Sequence, residues 1–83
     1  MDGWENLASA IIEVAAHDYK QALKILERYP GSYYAMRQKY KLEQFFRGDL
    51  YSMLTDVSGD YLIERLKKEV NASYKQHRLR IKK

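Results

Sequence analysis

Residues 4–29 read WENLASAIIEVAAHDYKQALKILERY, and this stretch decides the fold. Trp4, Ala8, Ile11, Ala15, Tyr19, Ala22, Leu26 and Tyr29 recur at steps of three and four, with Ile12, Leu23 and Ile25 widening the stripe. That spacing keeps apolar groups on one face of an α-helix. Asp2 stands where an N-cap belongs, and Glu5 follows three residues later in the capping-box position. Pro30 ends the run, because it has no N–H to donate and it pushes the preceding residue out of helical geometry. A helix of about 26 residues spans roughly 39 Å. In so short a chain it must be the spine on which the rest folds.

Outward from this spine, glycine punctuates the chain. Ser32 is placed to cap a second helix, about Tyr33 to Arg47, and Gly48 to close it. Asp49 is placed to cap a short helix, about Leu50 to Asp56. Ser58-Gly59-Asp60 forms a turn in which Ser58 or Asp60 caps a fourth segment. There Leu62, Ile63, Leu66, Val70 and Tyr74 repeat at helical intervals, with His77 and Ile81 extending the face as charge density rises. No segment shows the alternation of a half-buried strand. The expected fold is all-α, a compact bundle of three to four helices with a long N-terminal helix. Residues 1–70 form a single helical domain, and residues 71–83 form a basic C-terminal helix extension or tail. The expected core is Trp4, Leu7, Ile11, Ala15, Leu23, Leu26, Met36, Tyr40, Phe45, Leu54, Leu62, Leu66 and Val70.

The 83 residues suffice for one domain with a thin stability margin. There is no cysteine, so disulfides and thiolate metal sites are excluded. Two histidines, His17 and His77, are too few for a structural zinc site without Cys. No segment approaches the roughly 20 apolar residues of a membrane span. The start Met1-Asp2-Gly3-Trp4-Glu5 lacks the basic and then apolar character of a secretion signal. Asn71-Ala72-Ser73 matches a glycosylation sequon but is discounted without such a signal. A cytoplasmic protein is the expectation, with no membrane partner.

Charge is segregated. The last thirteen residues hold Lys75, Arg78, Arg80, Lys82 and Lys83 and no acidic residue, whereas the remaining seventy hold ten basic and eleven acidic residues. The net charge of +4 is thus −1 for the body and +5 for the tail. A polyanion is attracted to such a patch whatever the fold, so these five residues are the candidate nucleic-acid contacts, with Tyr74 able to stack on a base. The plainer reading is a solvated helix end, where cations also complement the helix dipole.

Leu50 to Glu69 has the outline of a helix-turn-helix. The first turns of its second helix carry Asp60, Tyr61 and Glu64, which would repel phosphates, so a plain helical hairpin is the better reading. Glu13 and His17 lie four apart on one helix with Asp18 beside them, half of a carboxylate–histidine metal site with no second half in the sequence. No Gly-rich phosphate loop and no nucleophile–base pair is present, so neither catalysis, a cofactor nor a small-molecule substrate is expected. Tyrosine is abundant, at eight residues. Tyr19, Tyr40, Tyr51 and Tyr61 are expected at the core edge with hydroxyls at the rim. Tyr29, Tyr33 and Tyr34 cluster around the Pro30 turn, either as an interface patch or as a staple for the corner between the first two helices.

Several strings together resemble a group of small uncharacterised proteins carried by prophages and conjugative elements of Gram-positive bacteria. They are Trp4-Glu5-Asn6-Leu7-Ala8 with Ala10-Ile11-Ile12, then Asp18-Tyr19, Phe45-Phe46-Arg47, Leu54-Thr55 and Tyr61-Leu62-Ile63. They cover most of the chain up to Val70 and leave out the basic tail. Gly48 and Leu50 depart from the Ser and Trp usual in the group. The resemblance implies an intracellular accessory protein of a mobile element and transfers no site residue. The expected function is a non-enzymatic adaptor that binds a protein partner or itself, for instance as a homodimer. The alternative is a nucleic-acid-binding accessory protein that uses the tail.

Overall fold

The computed structural model describes residues 2–82, and the side chains of residues 6–72. Its four helices are α1 (Asp2–Arg28), α2 (Tyr33–Phe46), α3 (Asp49–Leu54) and α4 (Gly59–Lys82), and no strand occurs among the described residues. The all-α bundle with a long first helix is the fold. Trp4 and the side chains of the Asp2–Glu5 capping box lie outside the described side chains.

Local chemistry sets most boundaries. The Tyr29 N–H still donates to the Ile25 carbonyl at 2.7 Å, and the turn closes when the Ser32 N–H donates to the Tyr29 carbonyl at 2.9 Å. Ser32 then caps α2, its Oγ accepting from the Ala35 N–H at 3.2 Å. At the far end of α2 the sequence reading needs correction. Gly48 has φ −93° and ψ 175°, extended backbone rather than a left-handed helix stop. It is itself the N-cap of α3, and Asp49 lies inside that helix. α3 stops at Leu54 rather than Asp56, because Thr55 turns extended and its Oγ1 accepts from the Val57 N–H. Between the two candidate caps of α4, Ser58 takes the role. Its Oγ accepts from the Tyr61 N–H at 3.3 Å and its carbonyl from the Leu62 N–H at 3.1 Å.

Contacts fix the directions. Tyr19 of α1 meets Glu43 and Phe46 near the end of α2, while Leu26 shares a groove with Met36 and Lys39 near its middle, so α1 and α2 are antiparallel. Along α4, Ile63 and Leu66 join Ala15 and Tyr19 in the core, and further on Glu69 pairs with Lys20 and Val70 lies beside Leu23 and Leu26. α4 therefore runs parallel to α1. α3 packs against α1 and α2.

The core centres on Tyr19, Phe46 and Ile63, the largest fully buried side chains, with Tyr51, Leu66 and Ala15 around them. Aromatic rings meet edge to face here, with centroids 5.8 Å apart for Tyr19–Phe46 and 5.7 Å for Phe46–Tyr51. This geometry sets positive ring edges against negative faces. Leu66 and Val70 are buried as expected, and Leu23, Phe45 and Leu62 are half-buried. Leu7, Ile11, Met36 and Tyr40, expected in the core, are exposed. The buried line on α1 runs through Ala8, Ala15, Tyr19 and Ala22, which turns Leu7 and Ile11 to its flank. On α2 it runs through Ala35 and Phe46, which turns Met36 and Tyr40 outward. Of the four tyrosines expected at the core edge, Tyr19 and Tyr51 are buried, whereas Tyr40 and Tyr61 are exposed.

Candidate interaction surface

The Pro30 corner displays its tyrosines. Tyr29, Tyr33 and Tyr34 are 63%, 71% and 67% exposed, too open to staple the two helices together. Ser32 caps α2 immediately after the turn, through a bond within the first turn of α2 itself. The Arg37 guanidinium lies 5.7 Å from the Tyr33 ring centre, within reach of a cation–π contact. Tyr40, two turns along α2, accepts a 2.9 Å hydrogen bond from the Gln44 amide and is otherwise open.

An open groove lies at this end of the bundle. Leu26, Pro30 and Val70 give it apolar walls, Lys39 and Lys67 supply cations, and Asn71 stands at its edge. A neighbouring hollow continues past Leu26, Pro30 and Lys39 to Met36, Tyr40 and Glu43. Pro30 and Asn71 thus border one groove. The fold brings together two features that lie far apart in sequence, the tyrosine corner and the first residue of the basic segment. Beyond Asn71, α4 continues to Lys82. The side chains of Lys75, Arg78, Arg80 and Lys82, and all of Lys83, lie outside the described residues.

A polar network ties the helices beside this groove. The Tyr19 hydroxyl donates to Glu43 Oε2 at 2.6 Å. Lys39 Nζ approaches the same carboxylate at 3.1 Å, and Arg47 bridges towards Asp60 of α4 at 2.8 Å. Burial alone would raise the Glu43 pKa, but the hydrogen bond from Tyr19 and the adjacent Lys39 outweigh it and hold the carboxyl below its ordinary value. Burial, followed by the hydrogen bond to Glu43 and its charge, pushes the Tyr19 phenol well above its ordinary value. Both groups therefore hold the charge states that bind each other across a wide pH range. This network links α1 to α2 through Tyr19 and Glu43, and α2 to α4 through Arg47 and Asp60.

The sequence reading missed an apolar strip at the opposite end of the bundle. Leu7, Ile11 and Val14, spaced four and three apart, are exposed along the first half of α1, with Val14 at 62%. Leu50 and Met53 of α3 are also exposed, Met53 at 73%. The signal was in the sequence: a buried line drawn through Ala8, Ala15 and Ala22, seven apart, leaves the larger residues beside it. Glu13, His17 and Asp18 are all exposed on α1, and no group of three or more His, Cys, Asp or Glu that could hold a metal occurs among the described residues. No helix of the described residues is long and apolar enough to cross a membrane. Comparisons with protein-family models, curated proteins and solved structures find no match.

Proposed function

We propose that this chain is a non-enzymatic protein-interaction module, an oligomerising adaptor of a mobile genetic element. The observation that carries this reading is the amount of large apolar and aromatic surface left outside a small core. Leu7, Ile11 and Val14 at one end and Tyr29, Tyr33, Tyr34 and Met36 at the other are all exposed. Surfaces of this kind mark sites of association. The mobile-element setting rests on the sequence resemblance alone. Sedimentation at tens of micromolar tests the oligomerising role: a species heavier than the 9.9 kDa chain is expected, and the single-chain mass at every concentration would end that reading.

One observation favours a second reading. The groove lined by Lys39 and Lys67 adjoins the exposed Tyr40 at the root of the basic segment. The two lysines pair with Glu43 at 3.1 Å and Glu64 at 3.8 Å and share the groove with Glu27, so a phosphate would have to displace these carboxylates. Cations that neutralise phosphates next to rings on which bases stack are the ingredients of single-strand binding. Binding to single-stranded DNA should then weaken steeply with salt, with a log–log slope of roughly −2 to −4 for three to five phosphate contacts. Salt-independent binding or none removes this reading.

A further inference from the structure

The two ends of the molecule are opposites. Every charged side chain before Lys20 is acidic (Asp2, Glu5, Glu13 and Asp18), and every one after Val70 is basic. Each charged segment is part of a helix with apolar residues of its own. On α1, Leu7, Ile11 and Val14 are exposed, and Asp18 continues their spacing of four and three. On α4, Tyr74, His77 and Ile81 continue the spacing of Leu66 and Val70 beyond the groove where α1 gives way to Pro30.

Backbone placement sets these segments at opposite poles. α1 and α4 run parallel, with Ala15 and Tyr19 level with Ile63 and Leu66, and with Leu23 and Leu26 level with Val70. The first turns of α1 therefore precede the start of α4, and the last turns of α4 run on past the end of α1. The segments match in length. Residues 2–14 span about 20 Å and residues 72–82 about 16 Å as helix.

We infer that two copies of the chain associate side by side about a two-fold axis with their α1 helices antiparallel, the basic end of each α4 lying along the acidic, apolar first half of the partner's α1. This deepens the oligomerising reading above and rests on it. Reversing one copy brings its acidic pole to the other's basic pole, and the two-fold axis repeats the contact at the far end. The interface is thus isologous and closes at two chains. Opposite charges orient the encounter, and the apolar strips exclude water between the helices. The basic tail then needs no nucleic acid to explain it.

Charge reversal with mixing tests the arrangement on the full chain. One variant carries Glu5→Lys and Glu13→Lys, within the first half of α1; the other carries Lys75→Glu, Arg78→Glu and Arg80→Glu. Far-UV circular dichroism checks that each stays helical, and the wild-type dimer measured at low and high salt provides a readout that needs no variant. Wild type should sediment as a dimer that weakens with salt. Each variant alone should dimerise about a hundredfold or more weakly, since like charges then face each other. An equimolar mixture should recover the dimer, because each variant's tail then meets a first helix of opposite sign. A dimer indifferent to both salt and charge reversal would overturn the arrangement and leave the oligomerising reading intact. A wild-type chain that stays single overturns both. Growth beyond two chains overturns the two-fold closure, and failure of the mixture to pair overturns the assignment of the segments.

Discussion

Replacing Gly59 by Ala separates a rule of thumb from this structure. Gly59 opens α4 and its φ is not positive, so its conformation is open to alanine. On conformational grounds alone, Gly→Ala at such a site stabilises a protein by about 0.4–1 kcal/mol, mainly by restricting the unfolded chain. The surroundings reverse the sign. A Cβ on Gly59 would lie 1.9 Å from the Phe46 carbonyl oxygen and 2.7 Å from its carbon. Real Cβ contacts stay beyond 3.0 Å, so the start of α4 must move away from the end of α2 by roughly 1.1 Å, the difference between 3.0 and 1.9. The obstacle is backbone, and no rotamer change relieves it. Phe46 is itself fixed in the core by Tyr19, Phe45 and Tyr51. The shift would loosen Ile63, one turn into α4 and fully buried.

Overpacking of this kind costs about 1–3 kcal/mol. A net loss of about 2 kcal/mol lowers the melting temperature by roughly 8–16 °C for a domain of this size. Thermal melts followed by circular dichroism measure it, with Gly31→Ala as the control. Gly31 has nothing within 4 Å of an added Cβ and no positive φ, so that variant should melt at or slightly above wild type. A Gly59→Ala protein as stable as Gly31→Ala would refute the close approach of α2 and α4 on which this core is built.

Tyr19→Phe keeps the ring and removes the donor to Glu43, so it should cost about 1.5–3 kcal/mol in denaturant titrations. Glu43 has a folded pKa below its ordinary 4.5, so its stabilisation is present above that value and is lost as pH falls through the folded pKa. Tyr19 is the opposite case: its raised pKa gives stability that is present below 10.0 and lost as pH rises beyond it. Tyr19→Phe should therefore move the acid unfolding midpoint to higher pH and remove the alkaline component; unchanged acid and alkaline limbs would count against the network. Leu66→Asp, at a position 4% exposed, should abolish cooperative melting, because burying an unpaired carboxylate costs several kcal/mol. Phe46→Ala should cost about 3–5 kcal/mol and Tyr40→Ala no more than about 0.5, although both belong to the apolar pattern of α2; equal losses would show the face of α2 to be misplaced. In the proposed dimer a second copy would bind only the folded chain, so the melting temperature should rise with protein concentration, and a constant value would argue for a self-sufficient monomer.

The helices were legible because their ends carry local chemistry. Pro30, Ser32 and Ser58 act through their own backbone or hydroxyl and need no distant partner. Gly48 was harder, since a glycine between two helices serves equally as a left-handed stop or as an extended cap. Its φ depends on how α3 folds back, which no neighbouring residue dictates. The choice of buried face was legible only in part. Periodicity places Ala8, Ile11 and Ala15 on one broad stripe, and size then tempts the reader to bury the isoleucine. The bundle instead buries the alanines and leaves Ile11 at the edge. The tyrosine corner and the basic segment were each visible in the sequence. Their meeting across the Pro30–Asn71 groove was not, because it depends on α4 running parallel to α1.

That preference for small residues explains the surface as well as the core. Ala8, Ala15 and Ala22 of α1 and Ala35 of α2 are all buried. Small side chains at a helix contact let the axes approach, and close axes leave room inside for only a few large groups, here Tyr19, Phe46 and Ile63. The remaining large apolar residues are then displaced to the flanks of the same helices, which is where Leu7, Ile11, Val14, Met36 and Tyr40 are found. In a chain of 83 residues the buried area is already small, so this arrangement narrows the stability margin and widens the apolar surface together. The proposed association would answer both at once, since covering the flanks would add the burial that the narrow core lacks.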